Sequence, residues 1–193
     1  LKISAAGNIV DVLNAQEFHL WGEVKHVIRQ DLLGGGLEKF RKILSESPYL
    51  LYLADNAGET VFDRVFIDTL DLPVIYAVKG GPILNDAAMD DALAAGIDQV
   101  AEIVETGSNA PVTILKLCSR EFQDIFNEAP LVLAKGQANF ETIEISGEIV
   151  SYLLRAKCHL IVRVIGFPHG SLVLKQGNTL TDPYNSKTAP DCG

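Results

Sequence analysis

Residues 50–59 read Leu-Leu-Tyr-Leu-Ala-Asp-Asn-Ala-Gly-Glu, an apolar run that ends in an acid, an amide, a glycine and a second acid. A short run of bulky apolar residues is typical of a strand buried on both faces. Residues 60–70 then carry apolar side chains at helical spacing, so a helix follows the strand. Open α/β sheets bind their ligands at the carboxyl ends of parallel strands. We therefore expect the chemical centre at Asp55 and Asn56.

From residue 49 onward, short apolar runs alternate regularly with helical patterns. The pattern predicts strands at residues 50–54, 74–78, 99–104, 131–134 and 150–154, with a last short strand at an edge over 171–174. It predicts helices at residues 60–70, 87–95, 112–127 and 157–165. Strands that alternate with helices in this way imply βαβ units, so the predicted class is α/β with a mostly parallel sheet.

The first part of the chain has a different pattern, which predicts helices over residues 17–32 and 37–45. Gly34-Gly35-Gly36 lies between them and is interpreted as a flexible break, because it lacks the pattern of a phosphate-binding loop. We accordingly divide the chain into a helical N-terminal region (1–48), an α/β core (49–175) and a tail (176–193).

Composition narrows the classes of function. The 193 residues are 48% hydrophobic and 21% charged, as in ordinary globular proteins, and their formal net charge is −9. This acidic balance argues against binding to nucleic acids or anionic membranes. No apolar run approaches the roughly 20 residues of a membrane span. The three cysteines, Cys118, Cys158 and Cys192, form no CxxC motif, so we expect a reducing, cytoplasmic setting.

Four of the predicted strands end in polar or glycine-rich sequence, over residues 55–59, 79–86, 105–109 and 135–141. In a parallel sheet these ends converge on one crevice. Asp, Asn and carbonyl oxygens suit a hard divalent cation with open positions for water and substrate. Nearby lysines add positive charge, and glycines expose backbone N–H groups to phosphate oxygens. The combination favours phosphoryl chemistry.

Each of these features also has a structural interpretation. Asp55 and the Asn85-Asp86 pair are good helix N-caps, and Lys79 and Lys135 could be strand-end lysines with exposed amines. Residues 106–109 have ordinary turn composition. The four histidines are scattered without ligand spacing and are taken as structural. The functional interpretation therefore depends on the common placement of the features at the strand ends.

Three longer motifs make a resemblance visible. Residues 55–59 (Asp-Asn-Ala-Gly-Glu), 79–86 (Lys-Gly-Gly-Pro-Ile-Leu-Asn-Asp) and 135–141 (Lys-Gly-Gln-Ala-Asn-Phe-Glu) resemble the metal-dependent damage-control phosphatases. Residues 6–11 (Ala-Gly-Asn-Ile-Val-Asp) and 154–158 (Leu-Arg-Ala-Lys-Cys) also look like motifs of this family. The glycine-glycine-proline form of the second motif is similar to the stand-alone archaeal and bacterial branch.

The resemblance implies a three-layer α/β/α sandwich with a helical subdomain, of which residues 1–48 would be an incomplete part. It implies hydrolysis of phosphate monoesters, including sugar phosphates and damaged phosphometabolites, with Mn²⁺, Mg²⁺, Co²⁺ or Ni²⁺. The implied metal ligands are Asp55, Asn56 and Asp86, which with Lys135 are the expected catalytic residues. Contacts with a small phosphorylated substrate are expected from Asn8, Glu59, Lys79, Glu105, Thr106, Gly107, Ser108, Lys135 and Asn139.

Two mechanisms and two other functions stay open. A metal-activated water is expected to attack the phosphoryl group. Asp55 could instead be a phosphorylated nucleophile, although the sequence lacks the second acid two residues later that aspartyl phosphatases use. A methyltransferase acting on protein carboxylates is the first alternative function, but no glycine-rich cofactor loop follows the first strand. A non-catalytic module that binds metal or sugar phosphate is the second.

Overall fold

The computed structural model describes residues 1–6, 20–143 and 149–177. These ranges contain a single sheet, with the order β1-β7-β6-β5-β2-β3-β4. Its strands are β1 (Leu32–Leu33), β2 (Leu50–Leu53), β3 (Val74–Val78), β4 (Glu102–Glu105), β5 (Val132–Lys135), β6 (Val150–Arg155) and β7 (Leu172–Gln176). All neighbouring strands are parallel except β6 and β7. The predicted α/β class with a mostly parallel sheet is therefore confirmed.

The helices connect and cover these strands. They are α1 (Lys2–Ala6), α2 (Leu20–Arg29), α3 (Leu37–Glu46), α4 (Thr60–Ile67), α5 (Met89–Ala94), α6 (Arg120–Glu128), α7 (Gly136–Thr142) and α8 (His159–Ile165). Among the described residues, single 3-10 turns lie at Ala57–Glu59, Ile97–Gln99 and Leu115–Leu117. No helix in the described ranges has the length and apolar composition needed to cross a bilayer.

Hydrophobic side chains fill both faces of the sheet, which makes the fold a three-layer sandwich. Along β2 the side chains of Leu50 and Tyr52 pack into one cluster, while Leu51 and Leu53 pack into the other. This alternation follows from the two-residue period of a strand. Helices α1 to α5 contribute to the first cluster and α6 to α8 to the second. A strand with two buried faces has to be apolar throughout, which is why β2 could be predicted from its sequence.

The N-terminal region differs from the prediction in two respects. Leu32, predicted as the last residue of a helix, forms with Leu33 the edge strand β1, which is parallel to β7. The adjacent glycines are an ordered close contact, since a Cβ on Gly34 or Gly36 would lie 2.5 or 2.6 Å from the carbonyl oxygen of Leu174. The interpretation as a flexible break was wrong, because the missing side chains let two backbones approach. Because β1 pairs with β7, strand β7 lies inside the sheet, between β1 and β6, and not at its edge.

Described parts of residues 1–48 pack onto the sheet. Ala5, Val24, Val27 and Phe40 belong to the same buried cluster as Tyr52. The division into regions 1–48, 49–175 and 176–193 stays a prediction. A further local difference is that residues 136–142, expected as a loop after a strand, form helix α7. Gly136 starts this helix with φ +82°, so the chain turns sharply from β5 into α7.

Candidate metal centre

The first two strand-end segments are joined by backbone hydrogen bonds. The N–H of Ala57 donates to the carbonyl oxygen of Asn85, and the N–H of Ala87 donates to that of Asp55, both at 2.8 Å. These bonds flank an isolated antiparallel bridge between Asn56 and Asp86. Residues opposite each other between such bonds form a non-hydrogen-bonded pair, with Cα atoms about 4.5 Å apart and side chains on one face. The side chains of Asn56 and Asp86 are therefore neighbours.

Asp55 completes the group and depends on a glycine from a third strand end. One Asp55 carboxylate oxygen, Oδ2, lies 3.3 Å from the amide nitrogen of Asn56. A Cβ on Gly136 would come within 1.9 Å of that same oxygen. Only glycine leaves room for the carboxylate there, and its positive φ favours glycine as well. The close contact explains why a glycine follows Lys135.

Carboxylates crowd this site. Burial, the nearby Glu59 carboxylate and, to a smaller extent, the Asp86 carboxylate together raise the pKa of Asp55 to about 8, against the lowering effect of Lys135 and Lys157. Burial is also the main cause that raises the pKa of Glu59. Like charges in a poorly solvated place disfavour the ionised form unless a cation joins them. The electrostatics are therefore those of a site that gains from a bound cation.

The amide of Asn56 has a defined orientation. Its nitrogen donates to Oε1 of Glu59 at 2.9 Å and to Asp55 at 3.3 Å. Both neighbours are carboxylate oxygens, so only the NH₂ side of the amide can face them. The carbonyl oxygen of Asn56 consequently faces away from Glu59. The amide oxygen of Asn56 is therefore turned away from both carboxylates, on a residue whose backbone lies opposite Asp86.

Lys135 is the predicted site residue whose position differs most from the expectation. Its side chain is fully buried. Its ammonium donates to Oε2 of Glu59 at 2.6 Å, to Oδ1 of Asp63 at 2.8 Å and to the carbonyl oxygen of Ser4 at 2.9 Å. Burial alone would lower the pKa of Lys135, but the carboxylates of Asp63 and Glu59 raise it above its usual range. With all three N–H groups engaged in the interior, direct contact with a phosphate does not fit this structure.

Glu59 and Asn139 also lie inside. Glu59 is fully buried between Lys135 and Asn56. The amide of Asn139 donates to the carbonyl oxygens of Ala54 and Lys135, so it ties together the carboxyl ends of β2 and β5. In this structure the polar groups of both residues face other protein groups, and their substrate contacts stay a prediction. Their observed contacts hold the strand ends that carry the site.

Lys79 is close to the centre as a partner of Asp86. Its ammonium lies 3.5 Å from Oδ2 of Asp86 and donates to the hydroxyl of Thr113 at 3.3 Å. Both charged side chains are largely buried, so the pair is poorly screened by solvent. Lys79 therefore partly offsets the negative charge of Asp86.

The third strand end lies beside the second. A Cβ on Gly80 would be 2.9 Å from the backbone of Gly107, so glycine allows these loops to touch. Thr106 and Ser108 are buried and hydrogen-bond within their own turn, while Glu105 is exposed at the end of β4. Of the predicted substrate contacts here, Glu105 and Gly107 reach the surface. Asn8 lies outside the described residues.

Two charged residues at the site had no assigned role in the sequence. Lys157 is exposed after β6, and its charge acts on Asp55. Asp63, fully buried in α4, accepts the hydroxyls of Tyr52 and Tyr76 as well as the ammonium of Lys135. Lys157 stands in the quoted 154–158 motif, which could have indicated it. Nothing local distinguishes Asp63 from an ordinary helix acid.

The residues at this edge fit a hard divalent cation with an incomplete protein shell. Asp55, Asn56 and Asp86 offer two carboxylates and one amide oxygen, which are ligands that Mg²⁺ and Mn²⁺ accept. No three His, Cys, Asp or Glu side chains group as a metal cage in the described ranges. A site with three oxygen ligands leaves positions for water and substrate.

Comparison with known proteins identifies the family. Residues 1–173 match the damage-control phosphatase ARMT1-like domain. The chain belongs to this family. The chain is 34% identical over 179 residues to damage-control phosphatase PH1575 of Pyrococcus horikoshii, covering 90% of this chain and 62% of that protein. It is 37% identical over 183 residues to the uncharacterized protein MJ0202 of Methanocaldococcus jannaschii, covering 88% and 59%. The resemblance found in the motifs is thereby confirmed.

The fold has the same relative among solved structures. A crystal structure of a DUF89 family protein from Pyrococcus horikoshii superposes with a TM-score of 0.81 at 34% identity, covering 91% of this chain and 64% of that one. The chain therefore spans about three fifths of the length of the curated relatives it matches. The α/β arrangement around the candidate centre is common to both structures.

Proposed function

We propose that this protein is a divalent-metal-dependent phosphatase that hydrolyses small phosphorylated metabolites. The observation that carries the proposal is the non-hydrogen-bonded pair of Asn56 and Asp86, with Asp55 fitted against Gly136 beside it. Three oxygen-bearing side chains then share one place at the carboxyl edge of the sheet. Relatives named damage-control phosphatases, at 34% and 32% identity, support the same reaction class.

Asp55, Asn56 and Asp86 would hold the cation, for which Mn²⁺, Mg²⁺, Co²⁺ and Ni²⁺ are candidates. When bound, the cation supplies Lewis-acid polarisation of the phosphoryl group and a lowered pKa of bound water. Lys79 partly offsets the charge of the Asp86 carboxylate through their ion pair. Gly136 leaves the space that the Asp55 carboxylate occupies.

The cationic contact with the substrate phosphate is assigned to Lys157 rather than to Lys135. Lys157 is exposed and acts electrostatically on Asp55, whereas Lys135 is enclosed by three acceptors. An ammonium at the rim can stabilise charge on the phosphoryl oxygens during transfer. The exposed ends of the third loop, Glu105 and Gly107, would border the rest of the substrate.

A phosphatase screen tests the proposal. Sugar phosphates and cofactor phosphates are offered with each of the four cations, and released phosphate is measured for the wild type, Asp55→Ala and Asp86→Ala. Both variants should lose turnover. Asp98→Asn is the matched control, because Asp98 is an exposed acid that precedes β4, at the opposite edge of the sheet. Cation binding without turnover of any ester would favour a non-catalytic binding module.

A second measurement separates the two routes of hydrolysis. Borohydride reduction during turnover labels a phospho-aspartate if one forms. With water as nucleophile, no label is expected at Asp55. Labelled Asp55 would show that the aspartate itself is phosphorylated.

A further inference from the structure

A chain of buried hydrogen bonds runs from the candidate metal centre into the core. It starts at Asn56, whose amide donates to Glu59, and continues from Glu59 to Lys135 and from Lys135 to Asp63. At its inner end the hydroxyls of Tyr52 and Tyr76 donate to Asp63 at 2.5 and 2.8 Å. Only Asn56 among these residues is accessible to solvent, since all the others are fully buried.

The direction of every bond in this chain is determined by charge. An ammonium only donates, and an ionised carboxylate only accepts. Lys135 donates its three N–H groups to Ser4, Glu59 and Asp63. Glu59 accepts from Lys135 with Oε2 and from Asn56 with Oε1. Because Oε1 only accepts, the amide of Asn56 has to direct its nitrogen toward Glu59. Its carbonyl oxygen is thereby directed away from Glu59, and Asn56 itself lies opposite Asp86.

We propose that Glu59 is a positioning residue of the cation site, which holds the Asn56 amide with its oxygen toward the cation, while Lys135 and Asp63 hold Glu59. The inference rests on the proposed function, since it needs a cation at Asp55, Asn56 and Asp86. If the Asn56 amide were flipped, it would present its NH₂ group to the cation, and the cation would lose one ligand. Ligand-orienting groups of this kind affect metal affinity strongly, about 10- to 100-fold when they are changed.

Two other roles for Glu59 make different predictions. If Glu59 only adds negative charge, any substitution that adds a carboxylate nearby should tighten cation binding. If Glu59 only stabilises the fold, substitutions should alter the thermal midpoint without changing the dissociation constant for the cation. The positioning role predicts instead that donor and acceptor must match between positions 56 and 59.

Exchanging donor and acceptor tests this directly. In Asn56→Asp, neither position has a donor for the bond. In Glu59→Gln, the glutamine carbonyl must face Lys135, so its NH₂ group meets the NH₂ group of Asn56. In the double variant Asn56→Asp/Glu59→Gln the glutamine donates to the new aspartate, and the total charge equals that of the wild type. The dissociation constant for Mn²⁺ is measured by titration calorimetry, without substrate.

Each single variant should bind Mn²⁺ about 10- to 100-fold more weakly than the wild type, and the double variant should bind more tightly than either. Asn56→Asp decides between positioning and charge, because the charge role predicts tighter binding there. Tighter binding by Asn56→Asp, or additive effects in the double variant, would overturn the inference. Unchanged dissociation constants in all three variants would do so as well.

Thermal unfolding without Mn²⁺ shows whether each variant is folded. If Asn56→Asp does not fold, the comparison of Glu59→Gln with the double variant decides, because recovery of Mn²⁺ affinity in the double variant is specific to the restored bond. A wild type that binds no Mn²⁺ would end both this inference and the proposed function. A wild type that binds Mn²⁺ and hydrolyses phosphate esters, with additive variants, would end the inference alone.

Discussion

Asp55 and Asp63 are two acids near the same strand end, and their surroundings differ sharply. Asp63 is fully buried and receives an ammonium and two tyrosine hydroxyls. Asp55 is half-buried, faces like charges from Glu59 and Asp86, and has a pKa raised to about 8. The inner carboxylate is balanced by groups of the protein itself, whereas burial and like charges dominate at the outer one. The difference separates residues that build the site from residues proposed to bind the cation.

The total charge of the inner and outer groups supports this distinction. Together they contain four carboxylates (Asp55, Glu59, Asp63 and Asp86) and two buried ammonium groups, those of Lys79 and Lys135. Two negative charges remain in excess when all are ionised. A divalent cation at the outer group would balance them.

The largest effect on stability is expected from Lys135→Met, which removes the inner cation and leaves two buried carboxylates. Breaking a buried ion pair from one side costs about 3–5 kcal/mol. Urea unfolding without divalent cations measures the loss. Lys116→Met is the control, because Lys116 is exposed, and its change should stay within about 0.5 kcal/mol. Equal stability of the two variants would show that the inner network contributes little.

Gly136→Ala should come next, and Gly166→Ala is its matched control. Both glycines have a positive φ, +82° and +77°, so alanine costs about 1–2 kcal/mol at either position. Only the Cβ at position 136 meets Asp55, while nothing lies within 4 Å at position 166. Crowding adds about 1–3 kcal/mol to the cost at position 136. It should also abolish Mn²⁺ binding, which calorimetry measures; equal Mn²⁺ affinity in both variants would contradict the assignment of Asp55.

Mn²⁺ itself should stabilise the wild type, because it binds the folded outer group and not the unfolded chain. At a free concentration one hundred times the dissociation constant the gain is about 2.7 kcal/mol. Chelation with EDTA should reverse the shift in thermal midpoint. Asp55→Ala should show no shift, and Asp98→Asn should behave as the wild type does. A shift that survives in Asp55→Ala would place the cation elsewhere.

The smallest effect on stability is expected for Lys157→Met, within about 0.5 kcal/mol, because the side chain is exposed. Its effect on turnover should be large. Loss of a charge-assisted contact with phosphate, worth about 1.5–3 kcal/mol, corresponds to a fall in kcat/KM of about tenfold or more. Lys116→Met should retain full activity. Unchanged turnover in Lys157→Met would show that Lys157 does not bind the substrate phosphate.

The central strands were predictable, and the edge strand β1 was not. Strands β2 and β5 are buried on both faces, so their sequences are apolar without interruption, and the predictions at 50–54 and 131–134 come within one residue of the observed bounds. Strand β1 has two residues, too few to show a period, and its partner β7 comes from the far end of the described chain. Such pairings depend on long-range contacts that leave no local pattern.

The proximity of the candidate site residues was also predictable. Asp55 and Asn56 follow β2, Asp86 lies in the segment that follows β3, and a parallel sheet brings the carboxyl ends of its strands to one edge. Lys135 also stands at a strand end, but which acceptors surround its ammonium depends on Ser4 and Asp63, which come from different helices. The local sequence alone does not distinguish a strand-end lysine that is exposed at the rim from one that is buried beneath it.

By itself, the amino-acid sequence determined the α/β class, the strands of the sheet interior and the family, because burial of both strand faces and the motifs at strand ends are local properties. Only the tertiary structure decided that Lys135 is enclosed, that Asn56 lies opposite Asp86, and that Gly136 makes room for Asp55. Those relations join segments distant in the chain. They arise from the order in which the strands pair and from the space between side chains. Neither property can be predicted from any single segment of the sequence.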